Sequence, residues 1–353
     1  MEKTKFFFAE RAGRMEQFAG AQRGILTDGK ASGVEVVDMW NYAGLCVQVL
    51  PGRGMDIGRV SFKGVPYSYL AKPGIVSPAY YENGGMYWLR NFFAGMLTTC
   101  GLSNVGSPDS YEDPVIGEVG LGLHGRISNA ASENVSIKKY WENDEYKIEA
   151  SGEVREACLH AENFVLKRKV SLSLYGQSLK IEDTIVNESF IDLPLMLLYH
   201  VNIGYPVLDQ GSVIHVSESR TRAAQSYEND DWQSGELPQK GYRERLYFHE
   251  PKKDSRASAG IVNPKKNLGF ELLFCPDQLP YLTEWKMFNC SEYVLGLEPG
   301  NCLPIGRSAN RQQKLLEILP AYAEKNVSLE MRFYNTAEEI EDFIKRTERV
   351  GKQ

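Results

Sequence analysis

The sequence predicts an all-β fold, a large antiparallel β-sandwich with a few short helices. Three observations support this prediction: apolar and polar residues alternate along several segments, turn-forming residues separate these segments at short intervals, and helix signals are sparse. Alternation of this kind gives a strand one face for a core and one face for water or a ligand. Many short strands joined by turns favour a sandwich over a parallel α/β sheet.

The alternating segments lie mainly in the middle and at the end of the chain. They occupy residues 135–137, 146–154, 170–174 and 327–333. Between strands, Gly-, Pro-, Asn- and Asp-containing segments provide turns, as at residues 175–178. These segments predict antiparallel neighbours connected by short turns.

The clearest helix signal lies at the C-terminal end. Thr336 and Glu339 have the spacing of a capping box, and Gly351 stands where a helix commonly ends. The residues predicted to share one face of this helix are Ile340, Phe343, Ile344 and Thr347. Residues 87–97 are a second, weakly patterned helix candidate.

The chain is predicted to form one domain over residues 1–353. Its 353 residues are 42% hydrophobic and 24% charged, which suits an ordinary globular protein with a sizeable core. No repeat or linker stands out. The most polar stretch, residues 217–245, is expected to be a long excursion between strands, and loops of this length are often functional.

The charge balance argues against a nucleic-acid partner. Lys and Arg number 40 and Asp and Glu number 46, whereas binding to phosphates normally requires a basic excess or a basic stripe. The apolar run at residues 6–9 is too short for a signal peptide, and no stretch is long enough to span a membrane. The six cysteines have no C-x-x-C spacing, which favours reduced thiols and a cytoplasmic location. The oligomeric state stays open, with a homodimer as one option.

Three polar clusters interrupt otherwise apolar segments, at residues 123–129, 197–206 and 295–302. They contain His124, His200 and Glu298, two imidazoles and a carboxylate of the kind used in general acid–base catalysis. Each residue also has a structural interpretation. His200 could be a hydrogen-bonded core histidine, Glu298 could end a strand in water, and His124 could belong to a turn.

The order of motifs resembles that of the aldose 1-epimerase (galactose mutarotase-like) superfamily. The matching elements are His124-Gly125, a T-x-x-N-x-S strand at residues 184–189, Tyr199-His200-Val201-Asn202, and Glu298-Pro299-x-Asn301. The resemblance extends from about residue 30 to about residue 335. It implies the large supersandwich of that superfamily. The segments 53–56 and 123–129 look like a mainly bacterial branch of aldose-epimerase-like proteins.

The resemblance implies a small-molecule carbohydrate substrate and interconversion of its α and β anomers. Glu298 would be the base and His200 the acid, with neither a redox cofactor nor a metal required. His124 would bind the sugar. Further residues expected to contact the substrate are Arg126, Arg90, Arg53, Asn202, Asn301, Asp56 and Trp285.

Some of these residues have alternatives. Arg53 and Asp56 could form a structural ion pair in a turn, which we favour slightly. Trp285, Trp232 and Tyr205 could stack on a sugar, although single aromatic residues more often belong to a core.

The sequence departs from ordinary galactose mutarotases in two places. The Asn-Arg pair expected before the first histidine is not evident, and Arg90-Asn91 has the reverse order. Asp231 is the candidate for the substrate-binding aspartate of the superfamily.

Other functions stay open beside the epimerase. The chain could be a non-catalytic sugar-binding protein, or another sugar-active enzyme such as an isomerase or a lyase, because fold alone does not determine function. A metal site at His124, His200 and Glu298 is disfavoured because the chain has no short ligand spacing such as H-x-H. No G-x-S-x-G nucleophile elbow occurs either.

Overall fold

Strands make up most of the molecule. The computed structural model describes residues 5–228, 231–253 and 256–349. The first twelve strands of this part of the chain are β1 Gly20–Ile25, β2 Glu35–Trp40, β3 Leu45–Leu50, β4 Asp56–Phe62, β5 Val65–Pro66, β6 Tyr69–Leu70, β7 Ala94–Gly95, β8 Leu97–Leu102, β9 Asp109–Asp113, β10 Gly117–Leu121, β11 Ser132–Glu142 and β12 Glu145–Ala157. The other strands are β13 Asn163–Ser173, β14 Ser178–Asn187, β15 Leu193–Ile203, β16 Val213–Val216, β17 Ser219–Ala223, β18 Arg245–Pro251, β19 Ala257–Asn263, β20 Leu268–Phe274, β21 Tyr281–Asn289, β22 Glu292–Gly300, β23 Glu317–Leu319 and β24 Glu324–Tyr334. The α-helices are α1 Lys5–Ala9, α2 Arg307–Gln312 and α3 Ala337–Arg349.

Two large antiparallel sheets form the fold. In the described residues, a 12-stranded sheet follows the order β1-β2-β3-β4-β8-β15-β22-β21-β18-β17, with β5 paired to β4 and β23 paired to β15. An 8-stranded sheet follows the order β11-β12-β13-β14-β24-β20-β19-β16. This arrangement confirms the predicted β-sandwich, and the predicted alternating segments lie in β11, β12, β13 and β24.

The core lies between the two sheets. Every second residue of β14 is buried, as the period of two requires. Leu166 and Ile181 of the smaller sheet share one apolar cluster with Leu197 and Leu297 of the larger sheet. The opposite face of β15 and β22 is therefore turned away from this core.

A buried ionic network also joins the two sheets. Arg168 of β13 binds both carboxylate oxygens of Asp183 on β14, at 2.9 and 2.6 Å. The hydroxyl of Tyr199 on β15 donates to the same carboxylate at 2.7 Å. Arg168 also contacts Asp56 of β4 at 3.1 Å, and Asp56 accepts a hydrogen bond from the hydroxyl of Thr99. This network holds β15 through Tyr199, on the strand face that points to the core and one residue before His200.

The C-terminal helix begins as the sequence predicts. The hydroxyl of Thr336 accepts a hydrogen bond from the backbone N–H of Glu339, and the Glu339 carboxylate accepts from the N–H of Asn335. Ile340 and Phe343 are buried against the smaller sheet. Gly351 lies outside the described residues.

The second helix prediction was wrong. Residues 87–97 contain only a 3₁₀ turn at Tyr87–Arg90, followed by β7 and the start of β8. Positive φ angles at Ala94 and Gly95 are incompatible with a continuing helix.

The polar excursion at residues 217–245 folds back onto the end of the larger sheet. It contains β17, and its later part is held by Lys286, which donates to the carbonyls of Asp231 and Ser234 at 2.7 and 2.9 Å. Asn229 and Asp230 lie outside the described residues. No helix in the described part of the chain is long and apolar enough to cross a membrane.

Candidate active site

His200 and Glu298 face each other across two neighbouring strands. Leu198 pairs with Gly300 and Val201 with Leu297, so the register places His200 of β15 opposite Glu298 of β22. The distance from His200 Nε2 to Glu298 Oε1 is 3.2 Å. Because their neighbours in each strand face the core, both side chains point to the outer face of the larger sheet.

A glycine gives the carboxylate its space. Gly296 lies two residues before Glu298 and directly opposite Trp285 of β21. A Cβ atom at position 296 would overlap Glu298 Oε1 and would lie 3.1 Å from the Cβ of Trp285. Although Glu298 Oε1 lies 3.2 Å from His200 Nε2, the two groups are not aligned for a hydrogen bond, and this buried oxygen has no hydrogen-bond partner among the described residues. Such an acceptor is costly in a structure and is available to a ligand.

His124 lies beside this pair on the loop after β10. Its φ is 56°, a left-handed conformation that is uncommon outside glycine and that clusters at functional sites. The N–H of Gly106 donates to His124 Nδ1 at 3.3 Å, so the ring proton resides on Nε2. The rings of His124 and His200 are 5.9 Å apart. His124 can therefore donate a hydrogen bond near the His200–Glu298 pair.

Aromatic side chains surround the two histidines. Trp88 and Phe92 stack on each other at 4.6 Å. Trp88 is 4.7 Å from the His124 ring, Phe92 is 5.1 Å from the His200 ring, and Trp285 is 5.3 Å from His200. These rings form the walls of a pocket of about 540 Å³, which is large enough for a small ligand.

Three further charged residues line this pocket. Glu244, just before β18, accepts a hydrogen bond from the indole N–H of Trp285 at 2.9 Å. Lys72 and Glu292 form an ion pair at 2.6 Å. Sequence reasoning did not single out any of the three. Glu244 carries no local motif, and its position depends on how the polar excursion returns to the sheet.

Burial shifts the proton affinities of the three central residues. Desolvation lowers the pKa of His200 to about 3, with a smaller contribution from His124, and desolvation lowers the pKa of His124 to about 4. Desolvation, followed by the charge of Glu244, raises the pKa of Glu298 well above its usual range. The pair therefore favours a neutral imidazole and a protonated carboxyl group.

The structure places several sequence-predicted residues outside the pocket. Arg53 is buried and donates to the backbone carbonyls of Ser128, Val76 and Asn91. Asp56 belongs to the ionic network with Arg168, so the expected substrate contacts of Arg53 and Asp56 are replaced by structural contacts.

The other two arginines also lie away from the pocket lining. Arg90 is exposed and its guanidinium lies 5.1 Å from the centre of the Tyr87 ring. Arg126 is half-buried, and its charge acts on Glu156 and Tyr81.

Asn202 and Asn301 support the strands that carry the pair. Asn202 donates to the carbonyls of His200 and Ala94 at 2.8 and 3.2 Å. Asn301 accepts from the N–H of Leu197 at 2.7 Å. Asn301 also donates to the carboxylate of Glu317 at 2.8 Å, and neither asparagine lines the pocket, so their effect on the pocket is indirect.

The aromatic candidates and Asp231 also divide into residues that line the pocket and residues that lie elsewhere. Trp285 lines the pocket. Trp232 packs against the ring of His249 at 5.1 Å, and Tyr205 lies under Lys266 at the surface. Asp231 caps its own loop through the N–H groups of Gln233 and Ser234. The carboxylate that reaches the pocket from the excursion is Glu244 instead.

Metal ligation is an alternative role for His124, His200 and Glu298. In the described ranges, no group of three or more His, Cys, Asp or Glu side chains is arranged to hold a metal ion.

One family profile matches most of the chain. The profile of a family described as a domain of unknown function, DUF4432, matches residues 31–333. A search of curated proteins finds no match.

Solved structures provide the fold comparison. A proposed aldose 1-epimerase from Klebsiella pneumoniae is 21% identical, with a TM-score of 0.83 over 97% of this chain and 94% of its own. A galactose mutarotase-like protein from Clostridium acetobutylicum is 15% identical, with a TM-score of 0.61 over 91% and 100%. A galactose 1-epimerase from Lactobacillus acidophilus is 11% identical, with a TM-score of 0.57 over 90% and 99%. The chain therefore has the galactose mutarotase-like fold.

Proposed function

The chain belongs to the DUF4432 family, and we propose that it is an aldose 1-epimerase that interconverts the α and β anomers of a sugar in this pocket. The observation that carries the proposal is the buried pair of His200 and Glu298, 3.2 Å apart, in a pocket of about 540 Å³. A hemiacetal presents two oxygens that must exchange protons, the anomeric hydroxyl and the ring oxygen. Two adjacent proton-transfer groups match that requirement.

The proposed reaction begins with ring opening. Glu298 takes the proton from the anomeric hydroxyl while His200 gives a proton to the ring oxygen, and the bond between the anomeric carbon and the ring oxygen breaks. Rotation of the aldehyde and closure from its other face produce the second anomer. In closure Glu298 gives its proton to the aldehyde oxygen while His200 takes back the proton from the hydroxyl that re-forms the ring. The reaction is therefore balanced without a redox partner.

The pair must hold one proton for this reaction. The form with charged Glu298 and protonated His200 differs from the neutral form only by transfer of that proton between the two residues. Positioned acid and base groups typically contribute about 10²- to 10⁴-fold each. The raised pKa of Glu298 makes its carboxylate a stronger base than an ordinary glutamate.

The other pocket residues would orient the sugar. His124 Nε2–H would donate to a hydroxyl or to the ring oxygen, and Glu244 would accept from hydroxyl groups at the mouth. Trp285 and the stacked pair of Trp88 and Phe92 offer flat apolar surfaces to the C–H faces of the ring, an arrangement that suits sugars. Glu244 thereby takes the role that the sequence had suggested for Asp231.

Nuclear magnetic resonance exchange spectroscopy on a panel of aldoses tests the proposal. The wild-type protein should accelerate exchange between the anomeric signals of at least one sugar, and Glu298→Gln should abolish the acceleration. Glu292→Gln is the matched control, because Glu292 lies on the same strand but is paired with Lys72 at the mouth. Exchange that survives in Glu298→Gln would contradict the assignment. Binding without exchange in the wild type would favour a sugar-binding protein.

A further inference from the structure

The pocket holds an excess of negative groups. Among the described residues that line it, Lys72 is the one lysine or arginine, and Lys72 is already paired with Glu292. Glu244 and Glu298 add two further carboxyl groups. A carboxylate or phosphate on the ligand would find no uncommitted cation in this pocket, and Glu244 would repel it.

The arginines that could have reversed this balance are used elsewhere. Arg53 bonds to three backbone carbonyls, Arg90 lies over Tyr87 at the surface, and Arg126 faces Glu156. The location of these side chains therefore argues against uronic acids and sugar phosphates as ligands.

Much of the remaining pocket lining is apolar. Besides the aromatic side chains, the lining includes Leu123, Leu246, Met287 and Val294. The polar side chains of the lining that could meet additional hydroxyls are His124, Ser107 and Glu244, together with the ion-paired Lys72 and Glu292. The hydroxyl of Tyr69 already donates to the carbonyl of Ser291 at 3.3 Å.

A hydroxyl pressed against such a wall loses its bonds to water without replacement. A methyl group or a ring methylene at the same place is instead stabilised by contact with the wall. A fully hydroxylated aldose carries polar groups around its whole circumference and so matches this lining poorly.

We propose that the preferred substrate of this pocket is an uncharged deoxy aldose, in which at least one hydroxyl is replaced by hydrogen and faces the wall of Leu246, Met287 and Val294. This inference rests on the proposed function, because it identifies the substrate class of the same site. The free anomeric hydroxyl stays at Glu298 and His200, and the remaining hydroxyls meet His124 and Glu244.

Binding to the inactive variant tests the preference separately from catalysis. Dissociation constants for Glu298→Gln would be measured by NMR titration with matched pairs: D-fucose and D-galactose, 6-deoxy-D-glucose and D-glucose, 2-deoxy-D-glucose and D-glucose. D-Galacturonate and D-galactose 6-phosphate are the anionic members. We expect the deoxy sugar of at least one pair to bind about tenfold or more tightly than its parent, equal to about 1.4 kcal/mol.

Two results would overturn the inference. One is equal or tighter binding of the hydroxylated parent in every pair, and the other is tighter binding of either anion than of D-galactose. If the wild type exchanges the anomers of no sugar but Glu298→Gln shows the deoxy preference, the proposed function fails while the ligand class stands. If the wild type exchanges D-galactose faster than any deoxy sugar and Glu298→Gln shows no deoxy preference, the function stands and this inference fails.

A second variant tests the role of charge. Glu292→Gln would release Lys72 from its ion pair without touching the catalytic residues. The ratio of the affinity for D-galacturonate to that for D-galactose should then rise by about threefold, as expected for an exposed pair. An unchanged ratio would show that the paired lysine is not what excludes anions.

Discussion

The two faces of strand β15 carry buried polar groups of opposite character. On the inner face, Tyr199 donates to Asp183, and both oxygens of that carboxylate also bind Arg168. On the outer face, His200 lies beside Glu298, whose buried Oε1 has no hydrogen-bond partner among the described residues. Buried charges whose hydrogen bonds are all satisfied, as on the inner face, stabilise the fold. An unsatisfied carboxylate in a pocket costs stability and is kept where a ligand uses it.

The largest expected effect comes from breaking the inner network. Asp183→Asn would leave the fully buried guanidinium of Arg168 without its bidentate partner. Removing one partner of a buried ion pair typically costs about 3–5 kcal/mol. Chemical denaturation should show a loss of that order in the free energy of unfolding.

The matched change on the outer face should behave differently. Glu298→Gln removes a carboxylate whose Oε1 has no hydrogen-bond partner among the described residues. The free energy of unfolding of this variant should therefore differ from that of the wild type by less than about 1 kcal/mol. Equal destabilisation by the two variants would remove the distinction between the faces.

Acid should destabilise the protein through the outer-face histidines. The pKa values of His200 and His124 are lowered to about 3 and about 4 by burial, whereas both are near 6.5 in the unfolded chain. Between these values each histidine binds more protons in the unfolded state than in the folded state, so its contribution to stability is present above pH 6.5 and is lost as pH falls towards 4. The loss is on the order of 3 kcal/mol for each histidine.

Denaturation of the wild type and of His200→Gln at several pH values checks this expectation. The variant should lose less stability over that window because one of the two histidines is gone. Parallel pH dependence of the two proteins would contradict the burial of neutral His200.

Filling the space beside Glu298 should have a smaller and more specific effect, on the rate of anomer exchange. A methyl group at position 296 would overlap Glu298 Oε1 and displace the carboxylate from the pair. Gly296→Ala should lower the rate of anomer exchange by about tenfold or more, because misplacing a reacting group costs catalysis steeply. Gly120→Ala, where a Cβ would have no neighbour within 4 Å, is the control and should keep the wild-type rate.

The smallest expected effect concerns the alkaline limit of activity. The active pair holds one proton, which is lost at a pH governed by the raised pKa of Glu298. The negative charge of Glu244 contributes to that rise, so Glu244→Gln should move the alkaline limb of kcat/KM to lower pH. The Gln carbonyl can still accept from Trp285, which separates the charge effect from loss of the hydrogen bond. An alkaline limb at the same pH in both proteins would contradict the electrostatic role of Glu244.

The sequence predicted the fold because a period of two is a local property. The alternation of apolar and polar residues in β12, β13 and β24 indicates which face of each strand is buried, even when the partner strand is unknown. The prediction of a helix at residues 87–97 was wrong because the aromatic residues of this segment serve the pocket and not a helix face. Trp88 and Phe92 pack against the two histidines of the pocket rather than along a helix.

The site could be predicted only in part. His124, His200 and Glu298 belong to short motifs, and the structure brings them together in one pocket. Arg53 and Asp56 were substrate-contact candidates because segment 53–56 resembles a motif of the aldose-epimerase-like branch, yet both side chains are buried in structural contacts. Glu244 could not be found, because its place depends on the return path of a long excursion rather than on neighbouring residues.

A double-mutant cycle on anomer exchange tests the central claim most directly. The rate would be measured for the wild type, Glu298→Gln, His200→Gln and the double variant, with the best aldose of the panel. Residues that act as one unit are not additive. The account predicts that each single variant is as inactive as the double variant, within a few-fold. Losses that multiply, or exchange that survives in either single variant, would show that His200 and Glu298 do not form the catalytic pair.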